Sequence, residues 1–526
     1  MWHSAWRGAK APRHFYDIIK PMPFSTFSSY SKFNKKSKAS KTGPSKTEIF
    51  KKTLAKVAAE KSEKQNPGSG DKALAEKLSK EFANMELNDE TLVALNKMES
   101  TSTNIFLTGK AGTGKTTLVR YFKATTKKKI VILAPTGVSA VNISGQTIHS
   151  FFKFGINVSP MSIKKATGST AIYKNIDTII IDEISMVRAD LFDCVDTFMR
   201  LNGKDKNTPF GGTQIIVVGD MFQLPPVVTS YEEEMFSSYY KSPYFFDSKV
   251  FLKADFELIE LSKIYRQDDD KFIDILEGVR SGNLKDSHLT LLNKRYLNPM
   301  EDNIDPMQYS DYIFLVTTNA MADALNLGKL NELETNKIIF KGKKSGSFER
   351  NFPTNECLAL KEGARIMMLN NDKEARWVNG DLGTITSINE NKQEIFVRLE
   401  NGENYLVPKY TWEMVKFSYD KDFDSVDTDV VGTFTQFPIR LAWAITIHKG
   451  QGKTYSNVVV DFGRGTFTHG QAYVALSRCR SLDGMILKTP LVRRHIMIDE
   501  RITNFMKRMS DDSGTIFMGD EDHLAF

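Results

Sequence analysis

Short, uninterrupted apolar runs recur through the middle of the chain, and each is followed by a polar turn. Such runs without alternation are typical of strands buried on both faces of a parallel sheet. They lie at 105–107, 130–134, 179–181 and 215–218, and a second series begins at 312–316. A short strand is also predicted at 258–261, where Glu260 interrupts the apolar residues. Helix-length segments separate most of them. The pattern predicts an α/β fold with two parallel-sheet units.

The stretch from 335 to 430 has a different pattern. Short alternating segments at 364–369, 383–386 and 394–398 are separated by Asn-Asp, Asn-Gly and similar turns. This spacing predicts a small β-barrel inserted into the second α/β domain. Residues 417–430 are rich in charge and are predicted as an exposed loop.

These patterns give a predicted domain map. It comprises a leader at 1–80, a first α/β domain at 81–265 with a small insertion at about 150–172, a second α/β domain at 266–334 and 431–510, the barrel at 335–430, and an acidic tail at 511–526.

Positive charge is concentrated in the leader. Residues 1–80 carry a net charge of +12, and since the whole chain carries +7, the other 446 residues carry −5. Global charge is therefore poor support for nucleic-acid binding. Residues 1–47 contain eight serines and a single acid, Asp17. Two interpretations stay open for them, an organellar transit peptide or a disordered basic tail.

The three cysteines, Cys194, Cys357 and Cys479, are far apart in sequence. They have no zinc-binding spacing and suggest no disulfide framework, so a reducing, intracellular compartment is expected. No run of about 18 apolar residues occurs, and no membrane-spanning helix or membrane partner is predicted.

A glycine-rich loop follows the first apolar run directly. Its sequence is Gly109-Lys-Ala-Gly-Thr-Gly114-Lys115-Thr116, and a helical pattern continues from Thr117. In this strand–loop–helix setting, backbone N–H groups around Gly109, Gly112 and Gly114 surround a phosphate chain. Lys115 is predicted to reach the β- and γ-phosphates and Thr116 to hold Mg²⁺. The loop, with Thr117 after it, predicts a bound nucleoside triphosphate as cofactor.

Other polar residues come directly after buried strands. Asp182 and Glu183 follow 179–181, at the edge where open parallel sheets bind ligands. Asp182 is predicted to bind Mg²⁺ through water, and Glu183 to position and deprotonate the attacking water. Gln223, after 215–218, is a candidate sensor of the γ-phosphate. Arg266 is a candidate arginine finger.

Together these segments resemble the PIF family of superfamily I, type B DNA helicases, with kinship to RecD-like and Dda-like helicases. The resemblance covers about residues 85–505. It rests on ordered motifs at 109–116, 134–140, 182–186, 219–227, 265–267, 444–452 and 473–478.

The resemblance implies two RecA-like domains, an inserted barrel similar to Src-homology-3 domains, and ATP with Mg²⁺ as cofactors. Catalysis would use Lys115, Glu183, Gln223, Arg266 and Arg478, the arginines acting across a cleft that closes on the nucleotide. The DNA contacts that it implies are Pro135, Thr136, His149, Thr446, His448 and Lys449.

The implied activity is 5′-to-3′ movement on single-stranded DNA by a monomer that unwinds duplex or structured DNA, with roles in replication, repair, recombination or telomere maintenance. The alternatives are a DNA-stimulated ATPase that remodels nucleoprotein complexes, and a phosphotransferase. The location would be mitochondrial or nuclear in a eukaryote and cytoplasmic in a bacterium.

Two positions depart from the family pattern. Thr91 stands where the family has an adenine-reading Gln, which predicts weak discrimination among nucleotide bases. Gly450 stands where the family usually has Ser. The motif at 444–452 therefore lacks a hydroxyl that could contact phosphate or backbone.

Overall fold

The computed structural model describes residues 88–155, 158–167, 170–228, 236–267, 269–297, 312–346, 354–370, 372–374, 376–377, 379–420 and 425–512. The predicted leader at 1–80 and the tail from 513 lie outside the described residues. No described helix is both long and apolar enough to cross a membrane.

Twenty strands are described. They are β1 (Asn104–Gly109), β2 (Ile130–Ala134), β3 (Gln146–Thr147), β4 (Thr178–Ile181), β5 (Gln214–Val218), β6 (Phe256–Leu261), β7 (Ile313–Val316), β8 (Ile338–Lys341), β9 (Lys343–Gly346), β10 (Cys357–Leu360), β11 (Arg365–Met368), β12 (Leu382–Asn389), β13 (Glu394–Leu399), β14 (Asn404–Val407), β15 (Tyr410–Asp420), β16 (Ser425–Gln436), β17 (Ile439–Leu441), β18 (Ala444–Thr446), β19 (Val458–Asp461) and β20 (Met485–Leu487).

The described α-helices number twelve. They are α1 (Asp89–Ser100), α2 (Lys115–Thr125), α3 (Gly137–Asn142), α4 (Ile148–Phe152), α5 (Ala171–Asn175), α6 (Ala189–Asn202), α7 (Asp270–Ser281), α8 (Asp286–Asn293), α9 (Asn319–Glu332), α10 (Ile447–Gly450), α11 (Gln471–Leu476) and α12 (Glu500–Asp512).

The first sheet has six parallel strands in the order β3-β2-β4-β5-β1-β6. Every residue of β4 and β5 is buried. Their continuous apolar runs suit this position, because helices cover both faces of a parallel sheet. The strand ends that carry the predicted chemistry therefore meet at one edge.

The second sheet has four parallel strands in the order β18-β7-β19-β20. The helix α7 starts at a cap where the side chain of Asp269 accepts from the N–H groups of Lys271 and Phe272. It ends at Gly282, whose φ of 78° is in the left-handed region that stops helices. The two sheets confirm the predicted pair of RecA-like α/β units.

The insertion is built from strands, as predicted. Five antiparallel strands are ordered β14-β13-β12-β11-β17, and smaller sheets pair β10 with β8 and order β15-β16-β9. In the described residues no pairing joins β14 to β17, so this sheet is open where a barrel was predicted. Closure depends on strand tilt and stagger around the whole sheet, which local alternation does not specify.

Residues 421–424 of the predicted loop lie outside the described residues. Residues 417–420 and 425–430 do not form a loop. They lie in the strands β15 and β16, which pair Tyr410 with Gln436 at one end and Asp420 with Ser425 at the other. Charged positions alternate there with aromatic and β-branched ones, and the strand period of two accommodates both. The β17 strand, from the range predicted for the second α/β domain, pairs with β11 of the insertion.

The last helix, α12, packs on the first α/β unit, although its sequence range was assigned to the second. Ile502, Phe505 and Met509 belong to the same apolar core as Phe106 of β1 and Phe245. The ring of Phe505 stacks on Phe246 with centroids 4.1 Å apart. The chain thus returns to the first core after completing the second sheet.

Candidate active site

The phosphate loop joins β1 to α2. Gly109, Gly112 and Gly114 have φ values of 149°, 87° and 83°. A Cβ on Gly112 would come within 2.5 Å of the Cβ of Arg266, so the loop lies directly against the segment that carries this arginine. No side chain caps α2, and its N-terminal N–H groups, with Thr116 and Thr117 in the first turn, are oriented as an anion site.

Lys115 points back into the loop. Its Nζ donates to the carbonyl oxygens of Gly109 at 2.6 Å and Lys110 at 2.9 Å. Burial lowers the pKa of its amine, while the negative charges of Asp220 and Glu183 oppose that shift. When a nucleotide binds, the Lys115 amine can exchange these two carbonyl oxygens for phosphate oxygens. The phosphate carries full negative charge, so the hydrogen bond to it is stronger.

The two carboxylates follow β4 as predicted. Burial, and then the neighbouring Glu183, raise the pKa of Asp182 to about 7. The backbone N–H of Glu183 donates to Asp182 Oδ1 at 2.9 Å. Burial also raises the pKa of Glu183, and its φ of 53° is a strained value for a residue other than glycine. A raised pKa suits Glu183 to accept a proton from water.

Magnesium fits this donor set. The Thr116 hydroxyl and the Asp182 carboxylate are oxygen ligands of the kind that Mg²⁺ takes together with water and nucleotide phosphates. In the part of the chain that the structure describes, no group of three or more His, Cys, Asp or Glu is placed to hold a metal ion. The Thr116 hydroxyl and the Asp182 carboxylate would hold Mg²⁺ together with the nucleotide phosphates.

Gln451 joins the predicted base to the predicted sensor, and sequence reasoning missed it. Its Nε2 donates to Glu183 Oε2 at 2.9 Å and to Gln223 Oε1 at 3.1 Å. Gln451 follows α10 in the second unit, whereas Glu183 and Gln223 lie in the first. One side chain from the second unit thus contacts both. The available signal was its position in the segment 444–452, two residues after Lys449.

Arg266 and Arg478 lie close together; Arg266 is half-buried and Arg478 is buried. Burial first, and then the positive charge of Arg478, lower the pKa of Arg266 to about 9. Arg478 is 1% exposed, and burial lowers its pKa also. The Arg478 guanidinium donates to Val474 O, Lys453 O and Ser477 Oγ. The positive charge of Arg266 acts on Lys115, and those of Lys115 and Arg478 act on Glu183. This concentration of positive charge favours a strongly negative ligand.

A second set of contacts crosses between the units, also missed from the sequence. The carboxylate of Asp220, after β5, pairs with Arg280 of α7 at 3.3 Å. The guanidinium of Arg280 lies 4.2 Å above the ring of Phe222. The amide of Gln267 donates to Ser477 O and Cys479 O, which ties the Arg266 segment to the end of α11.

The predicted DNA residues follow strand ends in two groups, one on each sheet. Pro135 and Thr136 follow β2, and His149 lies in α4 directly after β3. The Thr136 hydroxyl hydrogen-bonds that of Ser139 at 2.8 Å. Burial lowers the pKa of the His149 imidazole, so its ring is neutral at pH 7.

The second group has a similar local arrangement. Thr446 ends β18, and its hydroxyl accepts from the N–H of Lys449 and caps α10, just as Thr147 caps α4. Burial lowers the pKa of His448 and of Lys449. Thr-Ile-His thus occurs at a strand-to-helix turn on both sheets. At the second turn Thr446 is buried and its hydroxyl is used in the cap, whereas Lys449 is exposed and carries a group suited to phosphates.

Thr91 does not point to a base site. Its hydroxyl donates to Asn88 O at 2.8 Å and its N–H donates to Asn88 Oδ1 at 2.9 Å. Both groups are used in the N-cap of α1, and the residue is buried.

Two RecA-like units that meet at a phosphate loop, with paired arginines beside it, define a two-domain P-loop NTPase. Residues 86–290 match the family model of PIF1-like helicases. The ATP-dependent DNA helicase Pif1 of Bdellovibrio bacteriovorus is 32% identical over 436 residues, which span 81% of this chain and 92% of that protein. Human PIF1 is 32% identical over 73% of this chain and 58% of its own length.

Solved structures agree. Bacteroides Pif1 in complex with ADP-AlF4 has a TM-score of 0.74 and 34% identity, and covers 82% of this chain and 98% of its own. Bacteroides Pif1 bound to single-stranded DNA has a TM-score of 0.60 and 33% identity, with coverage of 82% and 98%. The chain belongs to the PIF1-like helicase family.

Proposed function

We propose that this chain couples ATP hydrolysis to 5′-to-3′ movement on single-stranded DNA and to the separation of duplex or structured DNA. The observation that carries the proposal is the Gln451 bridge to Glu183 and Gln223. It links the hydrolytic centre on one sheet to the strand-contacting turn at Thr446–Lys449 on the other. A change in the nucleotide is thereby passed to a predicted DNA contact.

Each residue near the loop has a distinct task. The loop N–H groups and Lys115 bind phosphates, and Thr116 with Asp182 would hold Mg²⁺, which neutralises charge on the phosphates when bound. Glu183 accepts the proton of the attacking water, while Gln451 orients its carboxylate. Arg266 and Arg478 stabilise negative charge that develops on the transferred group.

Support for DNA as the partner comes from the relatives. The related proteins are named ATP-dependent DNA helicases, and one solved relative is bound to single-stranded DNA. Short polar groups at the two Thr-Ile-His turns suit a sugar-phosphate chain without base reading. Translocation arises if the two turns approach and separate as the cleft closes and opens.

The deciding experiment compares one preparation on 5′-tailed, 3′-tailed, forked and G-quadruplex substrates, with ATPase measured in parallel. We expect DNA-stimulated hydrolysis and strand displacement that requires a 5′ tail. ATPase that ignores single-stranded DNA would refute the proposal. Normal stimulation without displacement on any substrate would favour the remodelling ATPase instead.

A monomer suffices for hydrolysis under this proposal, because the loop, carboxylates and both arginines all come from one chain. Specific ATPase activity should then be independent of enzyme concentration. A solved relative shows two coordinating Pif1 helicases that unwind DNA at a fork, and such cooperation would act on unwinding and not on hydrolysis by each copy.

A further inference from the structure

Tyr473 reaches across from the second unit to two parts of the first. It lies in α11, and its side chain is 3% exposed. Its hydroxyl accepts from the backbone N–H of Ala111, within the phosphate loop, at 2.9 Å. The same hydroxyl donates to Asp220 Oδ2, after β5, at 3.2 Å. One oxygen atom therefore joins the phosphate loop, the Asp220 loop and α11.

The surroundings of this hydroxyl are closely packed. The other carboxylate oxygen of Asp220 is paired with Arg280, and their side chains are 0% and 8% exposed. A Cβ on Gly470, at the start of α11, would lie 2.4 Å from the carbonyl oxygen of Gln223. The backbone at the start of α11 is therefore packed against the loop that carries Gln223. This packing and the Asp220–Arg280 pair fix the position of Tyr473.

An aromatic ring without a hydroxyl would also fill this space, so the presence of the hydroxyl requires a separate explanation. Burying a hydroxyl is costly unless it is hydrogen-bonded, and here it satisfies both its donor and its acceptor capacity with groups of the other unit. Burial raises the pKa of the Tyr473 phenol. The group stays protonated, which it must be to donate to Asp220 while accepting from Ala111.

We propose that Tyr473 is a positioning residue for the nucleotide: from the second domain its hydroxyl fixes the phosphate loop at Ala111 relative to the Asp220 loop. The loop is then held in its phosphate-binding shape before the nucleotide enters. This inference depends on the proposed function only in taking ATP as the nucleotide, and it requires neither DNA polarity nor unwinding.

Tyr473→Phe removes the hydroxyl and keeps the ring. Tyr455→Phe is the matched control, since Tyr455 is a buried tyrosine of the same unit whose hydroxyl has no hydrogen-bond partner among the described residues. ATPase rates without DNA are measured over a range of ATP concentrations, along with the affinity for a fluorescent ADP analogue and the melting temperature.

For Tyr473→Phe we expect KM for ATP and Kd for ADP to rise about 3- to 10-fold, as loss of a buried hydrogen bond predicts, with kcat within twofold of wild type. Tyr455→Phe should leave KM and Kd unchanged. An unchanged KM in Tyr473→Phe, an equal rise in Tyr455→Phe, or a fall in kcat at constant KM would each overturn the proposal.

A double variant tests the partner. Since the hydroxyl acts together with Asp220, the KM effects of Tyr473→Phe and Asp220→Asn should combine to less than their product. Multiplicative effects would overturn the proposed link. Because these measurements omit DNA, a failure of the helicase proposal appears separately, as wild-type ATPase that DNA does not stimulate.

Discussion

The Gln451 amide joins the two α/β units at the candidate active site, since it donates to both Glu183 and Gln223. Asp182 and Glu183 directly follow β4, Arg478 follows α11, and the positive charges of Lys115 and Arg478 both act on Glu183. Gln451 was missed, because a glutamine after a short helix has no chemical signature of its own. Its role follows only from the approach of the two units, which places its amide between two first-unit side chains.

Glu183→Gln separates binding from chemistry. The amide keeps a polar contact but cannot accept a proton, so we expect nucleotide binding within about threefold of wild type and turnover reduced by ~10²-fold or more. Binding is measured with a fluorescent ATP analogue and turnover by phosphate release. Lys115→Ala is the comparison, for which both hydrolysis and binding should be lost. Equal loss of binding in both variants would contradict the assigned roles.

Arg478→Ala should slow ATP turnover by ~10³-fold, the scale of arginine-finger losses. The side chain also donates to the backbone at Val474 and Lys453, so the melting temperature is measured with the rate. Arg478→Lys, which keeps a charge but loses the planar fork, should recover only part of the rate. A near-normal kcat in Arg478→Ala would remove this residue from the site.

The contacts of Thr91 predict how strongly the protein discriminates between ATP and GTP. Because its hydroxyl and N–H are both used in the cap of α1, we expect GTP and ATP to be hydrolysed with kcat/KM values within about tenfold of each other, since no base-specific hydrogen bond is then at stake. Thr91→Gln should raise the preference for ATP. Strong ATP selectivity in the wild-type chain would show that another residue reads the base.

Strands and turns were predicted correctly where a sequence pattern is compatible with only one local structure. Apolar runs became buried parallel strands, and the glycine-rich loop joined strand to helix. The loop prediction was wrong at 417–420 and 425–430, because the density of charge suggested a loop while the alternation of charged with aromatic and β-branched residues fits a hairpin. The partner of α12 could not be predicted, since an amphipathic helix specifies that it packs but not where.

Phe505→Ala tests the return of α12 to the first core. The Phe505 ring is buried against Phe106, Phe245 and Phe246, so we expect a loss of about 3–5 kcal/mol in the free energy of unfolding. Urea unfolding followed by fluorescence measures it. Lys507→Ala, at an exposed position of the same helix, should change stability by less than about 0.5 kcal/mol. Similar small effects in both variants would contradict the packing.

Across the whole molecule, the excess positive charge and the predicted DNA contacts lie in different parts of the chain. Residues 1–80 carry +12, while the other 446 carry −5. Among the predicted DNA contacts, Lys449 is a cation and the two histidines are neutral at pH 7. Binding at the two Thr-Ile-His turns therefore depends little on net charge.

This separation predicts how DNA affinity responds to salt. Each neutralised phosphate of a single strand adds about 0.7 to the slope of log K against log salt concentration. Deleting residues 1–80 should therefore reduce the magnitude of the slope markedly, while DNA-stimulated ATPase at low salt is kept. Fluorescence anisotropy with a labelled oligo-dT at several salt concentrations measures it. An unchanged slope would place the cationic contacts in the two α/β units.

The α/β class, the phosphate loop and the position of the two candidate catalytic carboxylates could be predicted from the sequence, because each depends on neighbours within a few residues: an apolar run, a turn and a helix start. The contacts across the cleft between the two α/β units could not. Gln451, Tyr473 and Arg280 lie 228, 253 and 60 positions along the chain from the first-unit residues they contact. No local periodicity encodes such distances, since packing of the two sheets sets them.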